Sequence, residues 1–423
     1  MPLAATYRQL LRRFSSPSSS SKPSKPTANM SQNEDAKALI AKLEQLTNAP
    51  QSDLDDSTRI KLREASKNLS ISLEMHGDTV HRIGNSALQL YMTRVGYDSK
   101  IWTVLSESNS PLSLAQIAEK TGFDPILLKR VLRYYQSFRM VAQPEDDAYT
   151  ANNVTKALAG PDGMAAEYFT TVLQKPFEAV PRYLKSHNYQ NPTNPVDSPW
   201  QEGYETKDHP FQWLQSNPGH FGLFMQWVHL SRAGLPVWLD VFPFEQTIGQ
   251  NTDKDTVIFV DVGSALGHQS IMLRERFPNT PGRIVIQDTA QVMGMVQPSH
   301  DIEPQIYDFF TPQPVKGARA YYLRNIIHDW ADEQAIAILK NQISAMTEDS
   351  VILIDDMVLP EKGSPWRATQ LDMTMLAALA AMERSENQWY ALLDKAGLDI
   401  VKVWKYTEEC DDCIIVAKPK KAA

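Results

Sequence analysis

The chain has 423 residues, with 42 Lys and Arg against 50 Asp and Glu, a formal charge of −8 and a pI near 5.7. That balance argues against a general affinity for nucleic acid or anionic lipid, and no apolar run approaches the roughly 20 residues that span a bilayer. Two cysteines, Cys410 and Cys413, cannot build a disulfide framework in so long a chain, so composition points to a reducing compartment, small-molecule chemistry and room for two domains plus a tail.

Residues 1–33 are rich in Ser, Pro and Arg and hold no acid, with Arg8, Arg12 and Arg13 among small apolar residues. A mitochondrial leader has this composition. So does a disordered tail, or an extension ahead of a start at Met30, where the sequence changes to SQNEDAKALIAKLEQL; a tail over 1–35 on a cytoplasmic protein is the plainer reading. Over residues 36–73 a helical pattern puts Leu39, Ile40, Leu43 and Leu46 on one stripe, and residues 83–105 continue helix-rich. Such helices pack on each other or on a second subunit.

In SLAQIAEKTGFDPILLKRVLRYYQSFRM, Ser113 and Gln116 form a capping box and Asp124 precedes Pro125 at a first helical position. A hairpin around PEDD follows, the layout of a winged helix-turn-helix. Lys129, Arg130 and Arg133 on its second helix would suit DNA, but Glu145, Asp146 and Asp147 in the wing would face phosphates, so the module is read as a protein–protein element. This helical domain is taken as 36–165, followed by a helical connecting and pocket region over 166–245. There Phe221, Phe224, Met225, Trp227 and Val228 recur at helical spacing, as a core stripe does and as the walls of a slot for a flat aromatic molecule do. His220 and His229 are read as structural.

From 246 to 423 strands alternate with helices. TVIFVDV, RIVIQD, RAYYLRN, SVILIDD, DIVKVWKY and CIIVAK read as strands, DEQAIAILKNQISAM and NQWYALLDKAG as helices. The domain is therefore α/β and Rossmann-like, closing on an antiparallel hairpin. Cys410 and Cys413 make a lone CxxC in a turn entering the last strand, without the further ligands a zinc site needs, and no metal is expected.

Chemistry concentrates in two segments. VIFVDVGSALGHQS is a strand running into a glycine turn: Asp261 lies at the strand end, Gly263 and Gly267 let backbone approach a ligand, and Asp288, ending the next strand, can accept from both hydroxyls of a ribose. The turn is not GxGxxG, so it suits a nucleoside and offers no seat for a pyrophosphate. LRNIIHDW then places His328 beside Asp329, either a general base with its acid or a strand end with Asp329 capping the next helix.

In this order, VDVGSALGHQS, IVIQD, IYDFF, YYLRNIIHDW, ILIDDMVLP and AAMERSENQWYALLDKAGL, behind a winged helix, resemble the plant caffeic-acid-type and fungal polyketide (sterigmatocystin-like) O-methyltransferases, over most of the chain after about residue 36. The resemblance implies S-adenosylmethionine as cofactor, a homodimer that exchanges N-terminal helices, and a hydroxyl of an aromatic or polyketide-type metabolite as acceptor. It implies that Gly263 faces the methionine part of the cofactor and Asp288 its ribose, that Asp308 and Phe309 contact adenine, and that Arg324 lies near the cofactor. His328 falls on the catalytic base and Asp356 and Glu383 on the acids flanking it. Met225, Trp227, Met375 and Met382 are candidates for the substrate pocket. Ser264 and Ala265 stand where glycines are common in the family, and Asp356 where glutamate is usual. Fungal relatives of this fold bind the same cofactor yet catalyse dehydration and pericyclic ring closure, which is the second reading. A winged-helix regulator with a vestigial enzyme domain is a third, against which the intact acid–base set speaks.

Overall fold

The computed structural model describes residues 30–48, 54–297 and 301–421, in two compact units that divide between Met75 and His76. The leader or tail expected over 1–35 lies almost wholly outside the described residues. In the first unit, α1 (Met30–Asn48) and α2 (Asp56–Ser72) carry the helical pattern expected over 36–73. Asp55 caps α2 by accepting from the Thr58 N–H at 2.9 Å, and Leu39, Ile40 and Leu46 are exposed on α1.

The second unit opens with α3 (His76–Gly84), α4 (Ser86–Asp98), α5 (Ile101–Ser106), α6 (Leu114–Thr121) and α7 (Pro125–Ser137), then a hairpin of β1 (Ala142–Glu145) and β2 (Ala148–Thr150). The expected start signals act locally. Ser113 and Gln116 close a reciprocal capping box before α6, and Asp124 accepts from the Leu127 N–H ahead of α7. Ile101, Leu105, Ile117, Leu128, Leu132 and Tyr135 form the core of this part.

Next come α8 (Asn153–Ala159), α9 (Ala165–Tyr168), a π-helical turn over Phe169–Leu173, and α10 (Gln174–Ser186). Three further helices, α11 (Pro199–Tyr204), α12 (Pro210–Gln215) and α13 (Pro218–Leu230), each carry proline in the first turn, where its missing N–H costs nothing.

After α14 (Phe244–Thr247), the remainder builds a seven-stranded sheet from β3 (Val257–Val262), β4 (Arg283–Asp288), β5 (Ile302–Ile306), β6 (Ala320–Arg324), β7 (Val351–Met357), β8 (Leu398–Lys405) and β9 (Asp412–Pro419). Its helices are α15 (His268–Arg276), α16 (Ala290–Met293), α17 (Asp332–Ile343), α18 (Trp366–Leu379) and α19 (Glu386–Ala396). The order is β5-β4-β3-β6-β7-β9-β8. Strands β3 to β7 run parallel, and β9 runs against both of its neighbours. Alternate residues feed two cores: Val260, Tyr321, Leu323 and Ile354 on one face, Phe259, Tyr322, Leu353 and Ile414 on the other. The chain passes from β3 to one side of the sheet and later returns to β6 on the other. The crevice outside the carboxyl ends of β3 and β6 is therefore the switch point at which such sheets bind ligands.

All six strands expected from sequence are present, with the closing hairpin. β5 is the addition: an edge strand whose residues after the buried Ile302 are all partly or fully exposed and whose Pro304 cannot donate to the ladder, so it lacks the apolar run that marks a buried strand. Among the described residues no helix is long and apolar enough to cross a membrane.

Candidate active site

Gly263 follows β3 with φ +73°, and a Cβ there would come within 2.4 Å of Ile326 Cδ1 and 3.9 Å of Phe309 Cε1. At position 263 the positive φ and the packed Ile326 side chain together favour glycine. The N–H groups of Gly263 and Ser264 donate to the Gln287 carbonyl at 2.8 and 3.0 Å. Ala265 sits in the left-handed region at φ +48°, where L side chains are strained, and its N–H donates to Asp288 Oδ2 at 2.9 Å. Thr289 N–H donates to Oδ1 at 2.7 Å; burial nevertheless raises the Asp288 pKa. Gly267, at φ +79°, ends the turn and leads into α15. Asp261 is buried, accepts from the Ser270 hydroxyl at 2.9 Å and is pushed up to about 7 by burial.

Phe309 lies across the crevice from Gly263, its carbonyl accepting from Asn341 Nδ2 at 3.0 Å. Asp308 is exposed and accepts from the Phe310 N–H at 2.9 Å. Beneath this loop is a buried amide chain: Gln313 Nε2 donates to Gln287 and Gln342 at 2.8 Å each, and Gln342 Nε2 reaches the Tyr307 hydroxyl at 3.2 Å. Arg324, ending β6, pairs through Nε with Asp355 Oδ2 at 3.4 Å. Asp355 also accepts from the Tyr322 and Tyr406 hydroxyls. A carboxylate with spare lone pairs at Asp288 and an aromatic ring at Phe309, beside the side-chain-free turn at Gly263, fit an adenosine with a short tail.

His328, 6% exposed, lies on a short 3₁₀ turn (Ile327–Asp329) directly after β6. Its Nδ1 donates to Glu383 Oε1 at 2.7 Å, and its Nε2 is 3.3 Å from Asp329 Oδ1. Glu383 is steadied from behind, its N–H donating to Asp372 Oδ1 at 2.9 Å. Asp356, in β7 and 1% exposed, has no hydrogen-bond partner on either oxygen among the described residues. Burial alone would lower the His328 pKa, but Glu383, Asp329 and Asp356 together raise it to about 10. Burial pushes Asp356 up to about 8 and Asp329 to about 6, against the pull of His328. The three acids and the histidine thus share fewer charges than four ionised groups would carry.

An aromatic wall stands near this cluster. Trp227 of α13 stacks on Tyr168 at 5.6 Å and meets the edge of Phe169 at 5.2 Å. Met375 of α18 belongs to the same apolar cluster. Burial, with smaller contributions from Tyr204 and Asp329, raises the Tyr168 hydroxyl pKa. Met382 is half-buried beside Glu383 with Gln388 Nε2 3.6 Å from its sulfur; Met225 is half-buried on α13 but outside the cluster that holds Trp227 and Met375. His220 packs against Trp213 at 5.0 Å, and His229 against His268 at 4.8 Å.

Asp355, Asp372 and Arg384 belong to the site although no motif in the sequence marks them. The doublet at 355–356 and the arginine after Glu383 were the available signals, and neither says which way a side chain turns.

A family model described as an O-methyltransferase domain matches residues 253–399. The chain is 35% identical over 369 residues to demethylsterigmatocystin 6-O-methyltransferase of Aspergillus parasiticus, covering 87% of this chain and 95% of that one. A solved structure described as a pericyclic reaction enzyme matches with TM-score 0.82 at 34% identity, over 93% of this chain and 100% of that one. The structure of LepI in complex with SAM matches with TM-score 0.82 and 34% identity over 92% and 100%.

Proposed function

Because this chain belongs to the O-methyltransferase family, whose methyl donor is S-adenosylmethionine, we propose that it methylates a hydroxyl of an aromatic or polyketide-type secondary metabolite, with His328 as general base. The observation that carries the reading is the 2.7 Å contact between His328 Nδ1 and Glu383, which commits Nδ1 as donor and leaves Nε2 as the proton acceptor.

Gly263, Asp288, Asp308, Phe309 and Arg324 hold the cofactor in this reading, with Asp261 and Gly267 supporting the turn. The bound cofactor supplies an activated methyl group, so the chain's own work is alignment, proton removal and exclusion of water. A phenol of pKa about 10 meets an imidazole whose pKa is raised to about 10 by the acids around it, so proton transfer from the phenol to the ring is far less uphill than to an unperturbed histidine. Asp329 gives up its place at Nε2 to the incoming hydroxyl. Asp356, pushed to about 8, is mostly neutral at pH 7 and leaves Glu383 as the principal counter-charge of the imidazolium. Since the base must start unprotonated, activity rises with pH, and a positive charge beside the ring moves that rise below pH 10. Trp227 and Met375 would wall the acceptor, with Met225 and Met382 as further pocket candidates.

The test is mass spectrometry of a metabolite extract incubated with the enzyme and methyl-deuterated S-adenosylmethionine, beside His328→Ala. A product heavier by one labelled methyl, absent with the variant, is expected; an equal yield from the variant counts against His328 as base. A second reading is favoured by the 34% identity to a solved pericyclic reaction enzyme: a cofactor-dependent product without label would mean ring closure or dehydration instead. The chain is further proposed to form a homodimer through its N-terminal helices, supported by the exposed Leu39, Ile40 and Leu46; light scattering at the monomer mass would remove that proposal.

A further inference from the structure

His328 sits on a turn of three residues, with no long helix or ladder of its own to hold it. Arg384 supplies the hold from across the site. It is 1% exposed, its Nη1 donates to the Ile327 carbonyl at 3.0 Å and its Nη2 to the Trp330 carbonyl at 2.8 Å. One guanidinium therefore grips the two carbonyls that bracket His328 and Asp329. Nε and Nη2 also donate to Asp332 Oδ1, at 3.2 and 3.0 Å, on the first residue of the helix that the turn leads into. The guanidinium lies over the Trp389 ring, 5.5 Å from its centroid.

The backbone of Arg384 is fixed as firmly. Leu359 N–H donates to the Arg384 carbonyl at 3.0 Å, and Glu386 N–H donates to the Leu359 carbonyl at 3.0 Å, which joins this segment to the chain just past β7. Neighbouring residues thus hold two parts of one histidine: Glu383 takes the ring, Arg384 the backbone. A planar fork with five N–H groups can serve two carbonyls and a carboxylate together, whereas a lysine ammonium on a flexible stem cannot keep that geometry.

We propose that Arg384 is a positioning residue for His328, fixing the turn so that the imidazole keeps its contact with Glu383 while a substrate hydroxyl approaches Nε2. The proposal rests on reading His328 as the base. The charged groups facing the ring are Glu383, Asp329 and Asp356, with Asp372 behind Glu383. Because Arg384→Lys preserves charge, a change in His328 titration in that variant reports geometry.

The experiment titrates the full chain, labelled with nitrogen-15 at histidine and followed by NMR, with His328 assigned by its loss in His328→Gln. Wild type, Arg384→Lys and Asp332→Asn are compared, with Glu333→Gln, an exposed acid one residue on, as the control for losing one carboxylate. Affinity for S-adenosylhomocysteine is measured by calorimetry in each. In Arg384→Lys the His328 midpoint is expected to fall by about one pH unit or more as the Glu383 contact loosens, with S-adenosylhomocysteine affinity unchanged. Asp332→Asn should lower the midpoint further than Glu333→Gln does. An unchanged midpoint in folded Arg384→Lys overturns the proposal; if that variant does not fold, equal shifts in Asp332→Asn and Glu333→Gln overturn it. Full methyl transfer by His328→Gln would sink the base reading alone, since the titration reads ring position and not turnover.

Discussion

Replacing Asp356 by asparagine separates the charge of that group from its shape. The side chain is 1% exposed, neither oxygen has a hydrogen-bond partner among the described residues, and burial raises its pKa from 3.8 to about 8. With the folded value above the unfolded one, the folded chain holds an extra proton across that window. Stability contributed by this group is therefore lost as pH rises from about 4 to about 8, at about 1.4 kcal/mol per pH unit. Between pH 5 and pH 8 the loss comes to about 4 kcal/mol, and asparagine, close in shape to the neutral acid and never charged, does not suffer it. The variant should gain on wild type with rising pH. At roughly 1–2 °C per kcal/mol for a chain of this size, the gap in Tm widens by about 5 °C over that range. Thermal melts of both proteins at pH 5, 6, 7 and 8, read by circular dichroism, measure it. A gap that stays constant across the window would refute the argument, because it would mean that Asp356 is ionised in the folded chain throughout.

Ala265→Gly removes left-handed strain at φ +48° while keeping the N–H bond to Asp288, and should stabilise the chain by about 0.5–1 kcal/mol after the added chain entropy of glycine; a shift in urea midpoint measures it, and a loss of stability counts against the turn geometry. Gly263→Ala places a Cβ 2.4 Å from Ile326 Cδ1 at φ +73°, so a cost of about 2–4 kcal/mol and loss of S-adenosylhomocysteine binding in calorimetry are expected. Full binding by that variant would mean that the turn is not part of the cofactor site. Gln313→Leu strands the amide oxygens of Gln287 and Gln342 beneath the Phe309 loop, while their amide nitrogens keep Gln305 and Tyr307 as partners; it should cost about 2–3 kcal/mol in denaturant unfolding and weaken S-adenosylhomocysteine by roughly tenfold, whereas unaltered affinity would separate the amide chain from the cofactor site.

The strands β3, β4, β6 and β7 were legible because strands buried on both faces read as unbroken apolar runs. The helix starts at Ser113 and Asp124 were legible because caps act within one turn. The glycine turn at 263 and the histidine–acid pair at 328–329 are equally local, and the order of six such segments sufficed for the family. β5 escaped because an edge strand carrying Pro304 has no such run, and Arg384 escaped because a buried arginine looks in sequence like an exposed one. Strand periodicity says that Asp355 and Asp356 point to opposite faces. It does not say that Tyr322 and Tyr406 meet the first, or that the second stands near His328 with no hydrogen-bond partner among the described residues. The proton affinity of His328 depends on acids from its own turn, from β7 and from Glu383, 55 residues on. Pattern and capping work over a few residues and can be read from the chain; charge coupling in a buried site acts through space, and only the tertiary structure decides which groups stand close enough to exert it.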